Sequence, residues 1–422
     1  MPRSLAVIGA GWAGLAAAVE ASRAGHAVTL FEMAPQPGGR AREVQHDGLA
    51  LDNGQHILIG AYTQTLRLMR EVGVDLDAAL LRTPLRLSEP DGRGLHLPAG
   101  SPLWAFAAGV WRREGWPLRD RLTLLAAAGG WAARGFRCAP ALTVAELTRG
   151  LGETLRRELI DPLCVAALNT PSTEASAAVF LRVLHDALFS GPGSADLLLP
   201  RVSLGALFPL PASSWLARRG ATLRLATRVQ RLEREGARWR VDGEGFDTVV
   251  LATPPTEAAR LVEAIAPDWA RQASAFDYEP IVTVYVQAGD TRLPEAMLAL
   301  PGGDEAPAQF VFDRGQLGGP AGLLAFVVSG ARRWVDAGRD ATIAATLAQA
   351  RQALGTLLHG EPEPRLLVTE KRATFRCVPG LRRPSCTIAP RLLAAGDHVD
   401  GPYPATLEGA VRSGIDAVST LA

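Results

Sequence analysis

Gly9, Gly11 and Gly14 fall at the spacing G-x-G-x-x-G, between an apolar run, Leu5–Ile8, and an alanine-rich stretch, Leu15–Arg23. Glycines so placed let the backbone turn tightly against a pyrophosphate at the start of a helix, where free N–H groups favour an anion. Glu32 closes a second apolar run, Ala27–Phe31, and stands where a carboxylate accepts hydrogen bonds from an adenosine ribose; a 2′-phosphate would more often meet arginine there. The chemistry indicated is dinucleotide binding. A secretory signal is not expected, because three glycines interrupt the apolar run and Glu20 and Arg23 follow it. Gly38 and Gly39 permit a further close approach and put Arg40 within reach of a phosphate oxygen, the alternative being a solvated arginine in an ordinary loop. Asp52-Asn53-Gly54-Gln55-His56 is a polar turn between apolar segments. It could face a planar cofactor with its N–H groups and the His56 ring, or only cap itself.

The other end of the chain carries a second half-site. Leu392–Ala395 reads as a buried strand, followed by Gly396-Asp397, a turn, and a helix from about Thr406. Asp397 is placed to accept hydrogen bonds from a ribityl hydroxyl. The helix opening at Leu407, Glu408 and Gly409 would turn its positive end toward a ring system. A reduced flavin carries negative charge at its pyrimidine edge, which a helix N-terminus stabilises, whereas a nicotinamide needs no such second site. The cofactor expected is therefore FAD. No metal is expected: Cys138, Cys164, Cys377 and Cys386 are scattered without zinc spacing and read as free thiols.

These residues need elements to hold them. An amphipathic helix follows the polar turn near Tyr62–Val72. Thr143–Asp186 reads as helix, and Ser190–Pro211 as a turn-rich connection too irregular for one, in which Asp196 and Arg201 could pair or face a ligand. Leu223–Val250 reads as a β-meander ending in a buried strand; if it rejoins the nucleotide part, Val229 offers backbone groups to an adenine edge. Strands at Glu279–Gln287, Gly322–Ser329 and Leu366–Phe375 and a helix at Thr342–His359 follow, with Lys371 a solvated or ion-paired strand residue. The fold class expected is α/β. A Rossmann-like FAD-binding domain is assembled from residues 1–80, 213–258 and 388–422, with an inserted α+β substrate domain, helical in 81–212 and sheet in 259–387.

The 44 basic and 43 acidic residues leave a net charge of +1, so no global field favours nucleic acid. No uninterrupted apolar run reaches the ~18 residues of a spanning helix. A cytoplasmic place is expected, with a peripheral one on the inner face of the plasma membrane as the alternative. That alternative comes from residues 103–131, which hold Trp104, Trp111, Trp116 and Trp131. There Leu103, Phe106, Ala107 and Val110 recur at helical spacing before Arg112 and Arg113. Such a segment is either core of the substrate domain or a helix lying in a membrane interface.

With both ends read, the chain resembles the FAD-dependent amine oxidase and phytoene desaturase superfamily, in Gly9–Gly14, Glu32, Gly38–Arg40, Val229 and "AGD…PATLEGAVRSG" (395–414). "DNGQHILIGAYTQTLRLMREVG", "ALNTPSTEAS", "SADLLLPR" and "YPATLEGAVRSG" are similar to its squalene-associated branch, the hydroxysqualene dehydroxylases of bacterial hopanoid synthesis. His398 departs from the pattern, since relatives commonly carry tryptophan after Gly-Asp. The resemblance implies a flavoprotein fold of the second glutathione-reductase type with non-covalent FAD, an apolar polyprenyl substrate, and hydride transfer from reduced flavin as hydroxysqualene becomes squalene. The leaving hydroxyl needs an acid, for which His56 and Tyr403 are candidates because both lie in stretches expected to face the ring; both could equally be packing residues. With no second G-x-G-x-x-G, electrons must come from an external donor. Three rival readings stand beside this one: a carotenoid-type desaturase, an amine oxidase, and a flavin-bound lipid carrier without redox chemistry.

Overall fold

The computed structural model describes residues 3–98, 100–303 and 305–419. Its first layer is a six-stranded sheet in the order Thr222–Arg224, Ala27–Phe31, Ser4–Ile8, Thr248–Leu251, Leu392–Ala394, Thr387–Ala389. The first five strands run parallel and the last is an antiparallel edge. Parallel strands are covered on both faces, which is why the runs Leu5–Ile8 and Thr248–Leu251 are buried throughout. Helix Trp12–Arg23 packs on one face, and its small residues, Ala13, Ala16 and Ala17 among them, are buried. They let the closing helix, Leu407–Ser419, approach until a Cβ on Gly414 would stand 2.2 Å from the Ala13 carbonyl oxygen. The opposite face is covered by the meander Leu232–Glu235, Arg238–Val241, Glu244–Phe246 and by helices Pro255–Val262 and Pro267–Ser274, around buried Trp239 and Trp269.

The second layer is an antiparallel five-stranded sheet, ordered Met297–Ala299, Phe310–Asp313, Leu323–Val328, Tyr278–Gln287, Glu363–Phe375. Helix Arg339–Leu354 packs on it. A helical lobe completes the molecule, its core made by Phe106, Val110, Trp116, Leu124, Trp131 and Phe180 with their neighbours.

Several expectations change. Thr143–Asp186 is not one helical block: Val144–Leu147 is separated from the stretch 153–168 by a turn at 148–152, and that stretch from Ala177–Phe189 by a turn that begins at Asn169, left-handed at φ 47°. Ser190–Pro211 is more regular than expected. Leu197–Pro200 is a fully buried strand between Leu58–Ile59 and Leu80–Thr83, and helices Leu204–Leu207 and Pro209–Arg218 follow. Asp196 pairs with Arg82 at 2.7 Å, not with Arg201, because strand pairing brings residues 80–83 alongside. Of the four tryptophans in 103–131, Trp116 and Trp131 are core, whereas Trp104 and Trp111 are exposed.

Candidate active site

The loops at the carboxyl ends of the parallel strands and one face of the second sheet border a cavity of about 890 Å³. Ligands of open α/β sheets bind in this crevice. The first strand delivers Gly9, whose φ of +107° suits glycine and where a Cβ would lie 2.4 Å from the Ala252 carbonyl oxygen. Gly14 does not line the cavity; a Cβ there would meet the Gly9 carbonyl at 1.9 Å, so it lets the helix leave the strand closely. No side chain caps helix Trp12–Arg23 at Gly11, and its first turn carries no acid, which leaves its leading N–H groups to an anion. Gly39 lies across from Gly11: a Cβ on it would come within 3.1 Å of the Gly11 Cα. Two glycine turns thus form a cradle that any side chain would fill, and a pyrophosphate fits it.

The remaining residues singled out from sequence divide into two groups. Glu32, Arg40, Gly54, Gln55, His56, Val229, Gly396, Asp397 and Leu407 all border the cavity, as do Gly9, Gly11 and Gly39. Glu32 accepts from the Ala10 N–H at 2.7 Å and the Ala34 N–H at 2.8 Å, so its carboxylate fastens the glycine turn to the end of the second strand. Arg40 joins the two ends of the sequence, donating to the Ala373 carbonyl at 3.0 Å and pairing with Asp397. The Val229 carbonyl accepts from Arg260 at 2.8 Å. Gln55 is held by buried Arg314 at 2.9 Å, which stiffens the polar turn.

Glu408, Gly409 and Tyr403 are not at the cavity. Glu408 is fully buried and accepts from the Gln64 and Thr65 N–H groups at 3.1 and 2.9 Å, from the Thr65 hydroxyl at 2.7 Å and from Arg412 at 2.7 Å. It caps helix Thr63–Glu71, which has no side-chain cap of its own. Gly409 permits contact with the Tyr403 carbonyl, 1.8 Å from where a Cβ would be. Tyr403 lies beneath the guanidinium groups of Arg182 and Arg412, 5.3 and 4.9 Å from its ring centre, and burial raises its pKa against the opposing pull of those cations. The expected acid role of Tyr403 therefore has no support in this geometry.

His56 does line the cavity. Its Nδ1 is 2.7 Å from the Gly54 carbonyl oxygen, which places the ring proton there and leaves Nε2 as an acceptor. Burial lowers its pKa, and the charge of Arg40 adds to the effect. At neutral pH it is a hydrogen-bond acceptor rather than a charged acid. Burial takes neighbouring His398 down to about 4 and raises Asp52 to about 6. Sequence reading missed Asn169 at the cavity. Its amide donates to the Glu279 carbonyl at 3.0 Å and the Thr374 hydroxyl at 2.9 Å, tying the helical lobe to the second sheet. The apolar wall of Ile281, Phe310, Phe312 and Val327 comes from that sheet and is legible only once its strands are paired.

Residues 12–422 match the model of the family described as flavin containing amine oxidoreductase. The chain belongs to this family. As a flavin containing amine oxidoreductase it is an FAD-dependent oxidoreductase, and the glycine cradle, Glu32 and the Arg40–Asp397 pair would hold the cofactor. Among relatives, a hydroxysqualene dehydroxylase of Rhodopseudomonas palustris is 30% identical over 444 residues, covering 98% of this chain and 97% of that one. A zeta-carotene desaturase of Zea mays is 42% identical over 109 residues, which is 25% of this chain and 19% of that one. Among solved structures, an oxidoreductase from Methanosarcina mazei superposes with a TM-score of 0.76 at 17% identity, covering 99% of this chain and 100% of that one. At that identity the likeness speaks for the fold.

Proposed function

We propose that the protein removes the hydroxyl of hydroxysqualene reductively, releasing squalene. The observation that carries this reading is a single cavity bordered both by the nucleotide cradle and by an apolar wall of Ile281, Phe310, Phe312 and Val327. The near full-length likeness to a hydroxysqualene dehydroxylase supports it. Bound FAD in its reduced state supplies a hydride. The apolar wall excludes water and holds the polyprenyl chain by burial of its methyl and methylene groups. His56 accepts a hydrogen bond from the substrate hydroxyl and orients it, so that the carbon–oxygen bond meets the hydride donor at a fixed angle. Arg40 and Asp397 keep the cofactor in place. An external donor supplies two electrons and two protons for each hydroxyl lost: two electrons and one proton pass as the hydride, and the other proton departs with the hydroxyl as water.

A second reading, a carotenoid-type desaturase that takes hydride from its lipid, is favoured only by the 109-residue match to zeta-carotene desaturase. Anaerobic mixing separates the two. Chemically reduced, FAD-loaded protein given hydroxysqualene is expected to regain oxidised-flavin absorbance as squalene appears by mass. Bleaching of the oxidised protein by a carotene precursor, with no squalene formed, overturns the proposal. Hydrogen peroxide released from simple amines overturns it in favour of an amine oxidase, and lipid binding without any flavin colour change in favour of a carrier. His56→Leu is expected to lower the rate while leaving flavin content unchanged.

A further inference from the structure

The helical lobe turns one apolar face outward. Helices Pro102–Arg112 and Leu118–Ala133 form a hairpin, fastened where Arg121 donates to the Trp111 and Arg113 carbonyls, both at 2.7 Å. Their inner stripe (Phe106, Val110, Leu124, Ala128, Trp131) is core. Their outer stripe is not: Trp104 is 75% exposed, Leu118 58%, Leu103 54%, Trp111 53% and Leu122 52%. Eight large apolar side chains are this exposed or nearly so among the described residues, and these five all fall within 20 positions of one another. The spacing i, i+7 of Trp104 and Trp111, and i, i+4 of Leu118 and Leu122, puts each set on one side of its helix. So dense a cluster on a monomer marks an interaction surface.

We infer that this hairpin seats the protein on an anionic lipid bilayer. Charge selects that occupant. Within residues 102–137, Arg112, Arg119, Arg134 and Arg137 are exposed, none with a carboxylate partner among the described residues, against Glu114 as the exposed acid of that stretch; exposed Glu158 beside it is taken up by Trp116 and Arg113. Tryptophan at headgroup depth with arginines reaching out to lipid phosphates is the composition of a helix lying in an interface. None of the described helices is long and apolar enough to cross, so the hairpin lies on the bilayer. The lobe is also continuous with the cavity. Helix Asp161–Leu168 places Cys164 and Leu168 in the same apolar cluster as Phe106 and Val110, and Ala166 and Ala167 on the cavity wall. The face that meets lipid is therefore joined through the lobe's core and helix Asp161–Leu168 to the space assigned above to a lipid substrate. The inference stands on the exposed surface and not on the identity of that substrate.

The test is sedimentation of the full-length, flavin-loaded protein with vesicles. Wild type is expected to pellet with phosphatidylethanolamine–phosphatidylglycerol vesicles and to shift its tryptophan emission to shorter wavelength, and to bind phosphatidylcholine vesicles much less. The double variant Trp104→Ser/Trp111→Ser, with its flavin spectrum intact, is expected to partition at least about tenfold more weakly. Leu210→Ser, which alters an exposed leucine elsewhere (47%), is expected to bind as wild type does. Wild type remaining in the supernatant with anionic vesicles overturns the inference, as does equal binding of the double variant. So does a dimer in lipid-free solution that the same variant dissociates, which would make the face a contact between two copies. None of these readouts depends on turnover, so failure here leaves the proposed reaction to its own assay.

Discussion

Replacing Glu408 by alanine removes four hydrogen-bond acceptor contacts at once from a site with no solvent access. Two of the donors are N–H groups of the first turn of helix Thr63–Glu71, which lose their cap, worth about 1 kcal/mol. The third is the Thr65 hydroxyl, on a residue only 1% exposed. The fourth is Arg412, and stripping one partner from a buried ion pair costs about 3–5 kcal/mol. Its side chain is 28% exposed, so water recovers part of that cost and the lower end of the range applies. With about 1 kcal/mol for the Thr65 hydroxyl the sum is about 4–5 kcal/mol, or a fall of about 4–6 °C in the thermal midpoint of the FAD-saturated protein, since the unfolding entropy of a 422-residue chain is about 0.9 kcal/mol per kelvin. Glu408→Gln keeps one acceptor for Thr65 and should lose about half as much. A double-mutant cycle with Thr65→Val should show a coupling of about 1 kcal/mol. Both single variants should still hold their full complement of flavin in the cold. A Glu408→Ala protein that melts with wild type yet fails to take up flavin would refute this reasoning and return Glu408 to the cofactor site.

Gly9→Ala should abolish flavin binding and lower stability by about 3 kcal/mol or more, because φ is +107° and the new methyl meets a backbone oxygen at 2.4 Å; absorbance of the purified protein checks it. Arg40→Lys should weaken FAD at least about tenfold by titration, since one ammonium cannot serve Ala373 and Asp397 with the geometry of a guanidinium fork. Asp52 and His398 give opposing pH dependences. Asp52 rises in the folded state from an ordinary 3.8 to about 6, so its contribution is full below pH 4 and is lost as pH climbs through 6, by about 3 kcal/mol. His398 falls from 6.5 to about 4, so its contribution is full above pH 6.5 and is lost as pH drops through 4. Between those limits the two offset each other. Denaturant titrations should therefore show His398→Gln losing stability as pH rises from 4 to 6 and Asp52→Asn gaining it, while wild type stays nearly flat.

What could be read from sequence was what local geometry dictates. Gly9, Gly11 and Glu32 declare themselves because a strand, a turn and a helix start demand them within one short unit, and Asp397 follows from the same strand-to-turn logic. Leu197–Pro200 was hidden because it is a strand only by virtue of partners at 58–59 and 80–83. Asp196 likewise found Arg82 across 114 residues rather than nearby Arg201. Glu408 looked like a ligand because it opens a helix near the cofactor; its real partner is another helix start 343 residues upstream. Composition alone could not divide the tryptophans of 103–131 between core and surface. The answer depends on which side of each helix the lobe covers.

The parallel sheet has an implication for how the protein is made. Its neighbouring strands come from residues 4–8, 27–31, 222–224, 248–251 and 392–394. The earliest strands therefore leave the ribosome long before their last neighbour has been translated. Until Leu392–Ala394 arrives, Thr248–Leu251 has an open edge of unpaired N–H and C=O groups between apolar side chains, and the groove for the adenylate lacks the loop bearing Asp397. Nascent chains should consequently stay dependent on chaperones until late in synthesis, and FAD should be captured only after elongation has passed the closing helix.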